Sequence, residues 1–134
     1  MKASLAGATT VAKLTVDRER TIDFMGENAR VYATPMLVRD IEIAARELLL
    51  EHLDAGEDSV GTRIELEHLA ATLIGMPVEV NLTVVAVNGR AVTLRFDGRD
   101  SVDAICRGTH QRFIVDVATA RTRLAGKAAR AGLR

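Results

Sequence analysis

The hydrophobic pattern of this chain changes period once, and that change most limits what it can fold into. From Pro35 to about Leu53, in "PMLVRDIEIAARELLLEHL", apolar residues recur with the spacing of an α-helix, about 3.6 residues per turn. From Val60 onward they alternate every second residue, as in strands with one buried face. An amphipathic helix followed by short-connected, half-buried strands has few ways to hide its apolar stripe. The helix must lie on the inner face of an antiparallel sheet that curls around it, giving an α+β roll with one long central helix.

Local signals place the boundaries. Thr34 is a good N-cap, and Pro35 at the first helical position has its fixed φ and missing N–H where both are tolerated. Gly56, in "DAGEDS", reads as the stop. Residues 9–17 alternate as a first strand. "TRIELEHLA" sets Ile64, Leu66, His68 and Ala70 on one face against Arg63, Glu65 and Glu67 on the other. "PVEVNLTVVAVNG" aligns Val78, Val80, Leu82, Val84 and Ala86, and the next strand aligns Val92, Leu94 and Phe96. A three-residue loop of Val87, Asn88 and Gly89 would pair 84 with 92 and 82 with 94, keeping these residues on one face. A last strand covers about 102–117, with Gly108 marking a bulge or a close approach. Residues 118–134 carry five basic side chains and no acid, and read as a short basic helix or tail. The expected organisation is one domain over residues 1–134, with its core at about 9–117.

Charge and composition remove several classes of function. Eighteen basic residues against 18 acidic ones give no electrostatic case for nucleic acid or a membrane surface. Three Phe, one Tyr and no Trp leave little for base stacking. No run approaches the ~18 apolar residues of a membrane span. One cysteine, Cys106, excludes an internal disulfide and suits the cytoplasm. Three scattered histidines give no metal-ligand spacing, so no metal is expected.

One residue breaks the helix pattern. Stepping about 100° per residue, Leu37, Ile41, Ala44, Leu48, Ala45, Val38 and Leu49 form a continuous apolar arc, and Glu42 falls inside it between Leu49 and Leu53. Thr34 stands at the helix start, and His68 occupies an apolar-face position of the following strand. Buried alone, a carboxylate or imidazole costs several kcal/mol, so the three are expected to face one another or a shared cavity. A carboxylate, a hydroxyl and a histidine are the groups used for acid–base or nucleophilic attack on an acyl carbon. The structural alternative pairs Glu42 with Arg46 or Arg39 one turn away and leaves Thr34 as a simple cap. Cys106 reads as a small buried hydrophobe, and His110 as a surface or interface residue.

Three segments carry a resemblance. "VYATPMLVRDIE", "GEDSVGTRIELEHLAAT" and "GTHQR" occur in the order and at the spacing seen in hotdog-fold thioesterases. Within them, Val31 to about Val117 resembles the fluoroacetyl-CoA thioesterase family. The resemblance implies a catalytic set of Thr34, Glu42 and His68, with Gly61 beside the acyl group and Arg112 near the substrate pocket. It also implies an acyl-CoA substrate, no cofactor beyond the CoA of that substrate, and a homodimer or dimer of dimers with sites at the subunit interface. Two departures stand out: "RERTIDFMGENAR" is shorter than the family's Phe-rich lid and holds only Phe24, and Pro35 replaces a glycine. The implied activity is therefore hydrolysis of a short or small acyl-CoA, without fluoroacetate selectivity. The same roll also serves acyl-thioester hydratases and dehydratases, and it could act as a non-hydrolytic acyl-CoA-binding module.

Overall fold

A computed structural model describes residues 1–133; Arg134, the last residue of the expected basic tail, lies outside them. The helix α1 spans Thr34–Leu50 and ends earlier than its periodicity suggests. Gly56, at φ 85°, serves the turn closed by Glu57 N–H and Asp54 O. The strands are β1 (Thr9–Thr15), β2 (Thr21–Ile22), β3 (Val31–Tyr32), β4 (Glu57–His68), β5 (Pro77–Asn88), β6 (Ala91–Asp100) and β7 (Ala104–Asp116). A second helix, α2, follows at Val117–Arg130, capped by the Asp116 carboxylate. Five strands form one antiparallel sheet in the order β1-β5-β6-β7-β4, while β2 and β3 pair separately.

The sheet curls around α1. Leu37, Ile41, Ala44, Ala45, Leu48 and Leu49 bury one side of the helix against Val78, Val80, Leu82, Val84, Val92, Leu94, Phe96 and Ile114. Each large side chain hidden this way contributes about 1.5–3 kcal/mol. The hairpin reaches the expected facing by another route. Leu82 pairs with Phe96 and Val84 with Leu94, the turn is tightened to Gly89 and Arg90, and a bulge between Val84 and Ala86 restores the phase. One extra residue in one strand reverses which face the next side chain meets. Gly108 is the expected close approach: a Cβ there would stand 1.9 Å from Glu65 O and 2.8 Å from Phe96 Cζ.

α1 itself requires two corrections. Ala33, not Thr34, is the N-cap, and it makes no side-chain capping bond. Thr34 is the first helical residue, which frees its hydroxyl for another partner. Glu42 is not enclosed either; its side chain is 50% exposed. The helix stops at Leu50, so Leu53 no longer flanks Glu42, and the neighbouring β4 is an edge strand of the sheet. The buried carboxylate is instead Asp40, on the opposite rim of the arc. Arg20 grips it with two bonds, of 2.9 and 3.2 Å, and the Tyr32 hydroxyl donates to it as well. Burial and the bond to Asp40 push the Tyr32 hydroxyl far above the usual phenol range, so it stays protonated.

Candidate active site

The cleft between α1 and β4 brings the five expected site residues to one side of the molecule in two groups. The elements run antiparallel, so the start of α1 meets the end of β4 and the middle of α1 meets its middle.

At the first end, Thr34 Oγ1 lies 2.7 Å from His68 Nδ1. The other ring nitrogen, Nε2, is buried without a partner. Burial also lowers the His68 pKa, so the ring is held towards its neutral form. The pair opens on a cleft of about 320 Å³ lined by Ile22, Val31, Tyr32, Leu69 and Ala70. A neutral imidazole with one nitrogen fixed and the other uncommitted can orient a water or pass a proton.

The second group surrounds Glu42. Its carboxylate borders a cavity of about 240 Å³ shared with Val38, Gly61, Thr62, Ile64 and His110. Arg112 Nη1 stands 3.6 Å from Glu42 Oε2, an ion-pair contact too long for a hydrogen bond. Arg46 is not the partner of Glu42; it makes a two-pronged bond to Asp58, whose carboxyl it holds below the usual range. Arg112 is only 3% exposed. It is anchored from behind, with Nε donating to Ser59 Oγ at 2.7 Å and Nη2 to Ser59 O at 2.9 Å. Gly61 leaves the room that the carboxylate fills, since a Cβ on it would lie 2.4 Å from Glu42 Oε2.

A β-bulge makes this possible. The β4–β7 register slips between Gly61 and Arg63, so Ser59 and Gly61 turn inward although they differ in parity from the inward Ile64, Leu66 and His68. Strict alternation would put Gly61 on the charged outer face. The sequence also misplaces His110, which is 2% exposed and hydrogen-bonded on both ring nitrogens. The signal was present, because His110 alternates with the buried Cys106, Arg112 and Ile114. Burial beside Asp97 pushes the Cys106 thiol up to about 11, so it offers no nucleophile near neutral pH. A cavity of about 330 Å³ at the start of α2 is larger, but its acid, Asp116, is committed to capping that helix. Among the described residues, no cluster of His, Cys, Asp and Glu could hold a metal, and no helix is long and apolar enough to cross a membrane.

A five-stranded antiparallel sheet on one long helix, with a polar cleft between that helix and the edge strand, defines a hotdog-fold protein. A Thermus thermophilus member of the thioesterase superfamily superposes with a TM-score of 0.88, at 29% identity over 97% of both chains. Residues 16–118 match the family model described as FlK, fluoroacetyl-CoA-specific thioesterase, and the chain belongs to that family. The fluoroacetyl-CoA thioesterase of Streptantibioticus cattleyicolor is 37% identical over 89 residues, which are 66% of this chain and 64% of that one. The match thus spans somewhat under two-thirds of that relative's length. A phenylalanine-to-alanine variant of FlK in complex with fluoroacetate and CoA superposes with a TM-score of 0.77, at 30% identity over 85% of this chain and 97% of the other.

Proposed function

We propose that this chain is an acyl-CoA thioesterase that releases a short or small free acid and CoA in the cytoplasm. The observation that carries the reading is Glu42: a half-exposed carboxylate on a cavity wall, opposed by a buried arginine and given room by a glycine. In one route Glu42 takes a proton from water, whose oxygen attacks the thioester carbonyl. In the other its own oxygen attacks and water then opens the resulting anhydride. In both, the C–S bond breaks as the tetrahedral oxyanion collapses, and the electron pair leaves on sulfur. Backbone N–H groups near Gly61 or the start of α1 stabilise the oxyanion. His68, fixed through Thr34, orients water and relays to the thiolate the proton that the water gives up; the thiolate is a fair leaving group without strong acid catalysis.

Within one chain Thr34 bonds His68 and not Glu42, while β4 leaves its outer edge unpaired beside the exposed Val60 and Leu69. Our reading includes a second copy on that edge, in a homodimer or dimer of dimers, closing the cleft over both groups. The shortened segment before α1 has its one phenylalanine, Phe24, at 85% exposure, which supports small acyl groups generally over fluoroacetate.

The test is thiol release from a panel of short, branched and aryl acyl-CoAs by wild-type protein and Glu42→Gln. Turnover should fall at least about a hundredfold in the variant with folding intact. Wild-type rates in Glu42→Gln would overturn the assignment. Binding without turnover, or hydration of an enoyl-CoA instead, would move this chain to another use of the same roll.

A further inference from the structure

We propose that His110 is a positioning residue of this site, which by staying neutral and donating from Nδ1 holds the Arg112 guanidinium against Glu42. The inference rests on the catalytic reading of Glu42 and extends it to a residue that the catalytic set leaves out.

His110 and Arg112 are both almost wholly buried, at 2% and 3% exposure, and His110 Nε2 is 3.2 Å from Arg112 Nη1. Two cations this close away from water would repel strongly, and the guanidinium does not give up its proton. The imidazole must therefore be the neutral partner. Its tautomer is also dictated. Nδ1 lies 2.9 Å from Arg63 O, which can only accept, so Nδ1 carries the hydrogen and Nε2 receives one from Arg112. Arg63 is where the β4–β7 register resumes after the bulge, so the same irregularity that turns Gly61 inward supplies this carbonyl.

The guanidinium is held at three points: Nε on Ser59 Oγ, Nη2 on Ser59 O, and Nη1 on His110 Nε2. Three bonds fix a planar fork, leaving Nη1 aimed at Glu42 Oε2. The charged groups facing His110 are Arg112 on its own strand and Glu42 on α1; β4 presents the Arg63 carbonyl, and β6 presents Leu94. Burial, with Arg112 adding to it, lowers the His110 pKa, in keeping with the neutral ring. A protonated His110 would put an N–H against Nη1, and Arg112 would lose the contact that orients it towards Glu42.

Three variants and one spectrum test this. His110→Phe keeps the ring shape but removes both nitrogens, His110→Gln keeps one donor and one acceptor, and Glu42→Gln is the control. In His110→Phe, kcat should fall about ten- to a hundredfold with KM changed less than about twofold, and His110→Gln should recover part of the loss. The kcat pH profile of wild type should bend downward on the acid side where His110 protonates, and that bend should vanish in His110→Phe. Nitrogen-15 spectra of the wild-type ring should show protonated Nδ1 and bare Nε2 at neutral pH. Wild-type kcat in a folded His110→Phe, or a ring that is cationic or protonated at Nε2, overturns the proposal, and the spectrum decides even if the variant does not fold. Full turnover in Glu42→Gln would overturn the catalytic reading alone. Lost turnover there, with full turnover in His110→Phe, would overturn the positioning role alone.

Discussion

Gly61→Ala is the substitution whose consequences the geometry states most sharply. The new Cβ would lie 2.4 Å from Glu42 Oε2, 3.3 Å from His110 Cε1 and 3.4 Å from Arg112 Nη1. Ordinary contact needs about 3.5 Å, so the carboxylate must retreat by about 1 Å while its two neighbours barely move. His110 and Arg112 are pinned by hydrogen bonds, whereas Glu42 is the free end of a half-exposed chain, so Glu42 yields. Its 3.6 Å contact with Arg112 then stretches beyond ion-pair range. A 1 Å misplacement of a reacting group costs about a hundredfold in rate, or roughly 2.7 kcal/mol of barrier. Stability should not follow. Gly61 is not among the positive-φ glycines, so alanine accepts its backbone. The stiffer unfolded chain contributes about 0.4–1 kcal/mol in favour of folding, against a half-exposed ion pair worth at most about 1 kcal/mol. The assay pairs thiol release at several acyl-CoA concentrations with thermal unfolding. The expected result is kcat/KM down about a hundredfold with Tm within a few degrees of wild type. The same change in a Glu42→Gln background should have almost no further effect, because its target is already gone. A kcat/KM within about threefold of wild type would refute the idea that Gly61 holds a place for a working carboxylate.

Two further predictions follow from the same geometry. Thr34→Val removes the hydroxyl from His68 Nδ1 while Ala33 remains the helix cap. Urea unfolding should therefore change by less than about 0.5 kcal/mol, where a lost cap would cost about 1 kcal/mol, while thiol release falls about ten- to a hundredfold and Thr34→Ser restores most of it. A full cap-sized destabilisation with normal turnover would return Thr34 to a structural role. Burial lowers the pKa of His110 in the folded protein, so between that value and the unfolded one, near 6.5, only the unfolded chain takes up the proton. Stability should be full above about pH 6.5 and fall as pH drops, by up to about 1.4 kcal/mol per pH unit for this one group. Urea titrations between about pH 5 and 7 should show a shallower slope in His110→Phe, and an unchanged slope would mean that His110 titrates alike in both states.

Much of the fold was legible because it depends on period alone. The switch from helical to alternating spacing set one helix against a curled antiparallel sheet, and the inward faces of β5, β6 and the later half of β4 followed from parity. Residue identity and motif order likewise singled out Thr34, Glu42, His68, Gly61 and Arg112, and with them the family. Sequence could not show where parity is reset. The bulges in β4 and β5 each add one residue to one side of a ladder, a choice made by the pairing partner, and the first turns Ser59 and Gly61 towards Arg112. Nor could it show that Arg20 and Tyr32 would close over the opposite rim of α1, burying Asp40 and leaving Glu42 half exposed. His110 shared a strand face with Arg112 from the outset, yet its burial depends on strands brought in from elsewhere in the chain. Period and residue type are properties of neighbours along the chain, but burial, tautomer and ion pairing depend on groups that meet only when distant segments close around them.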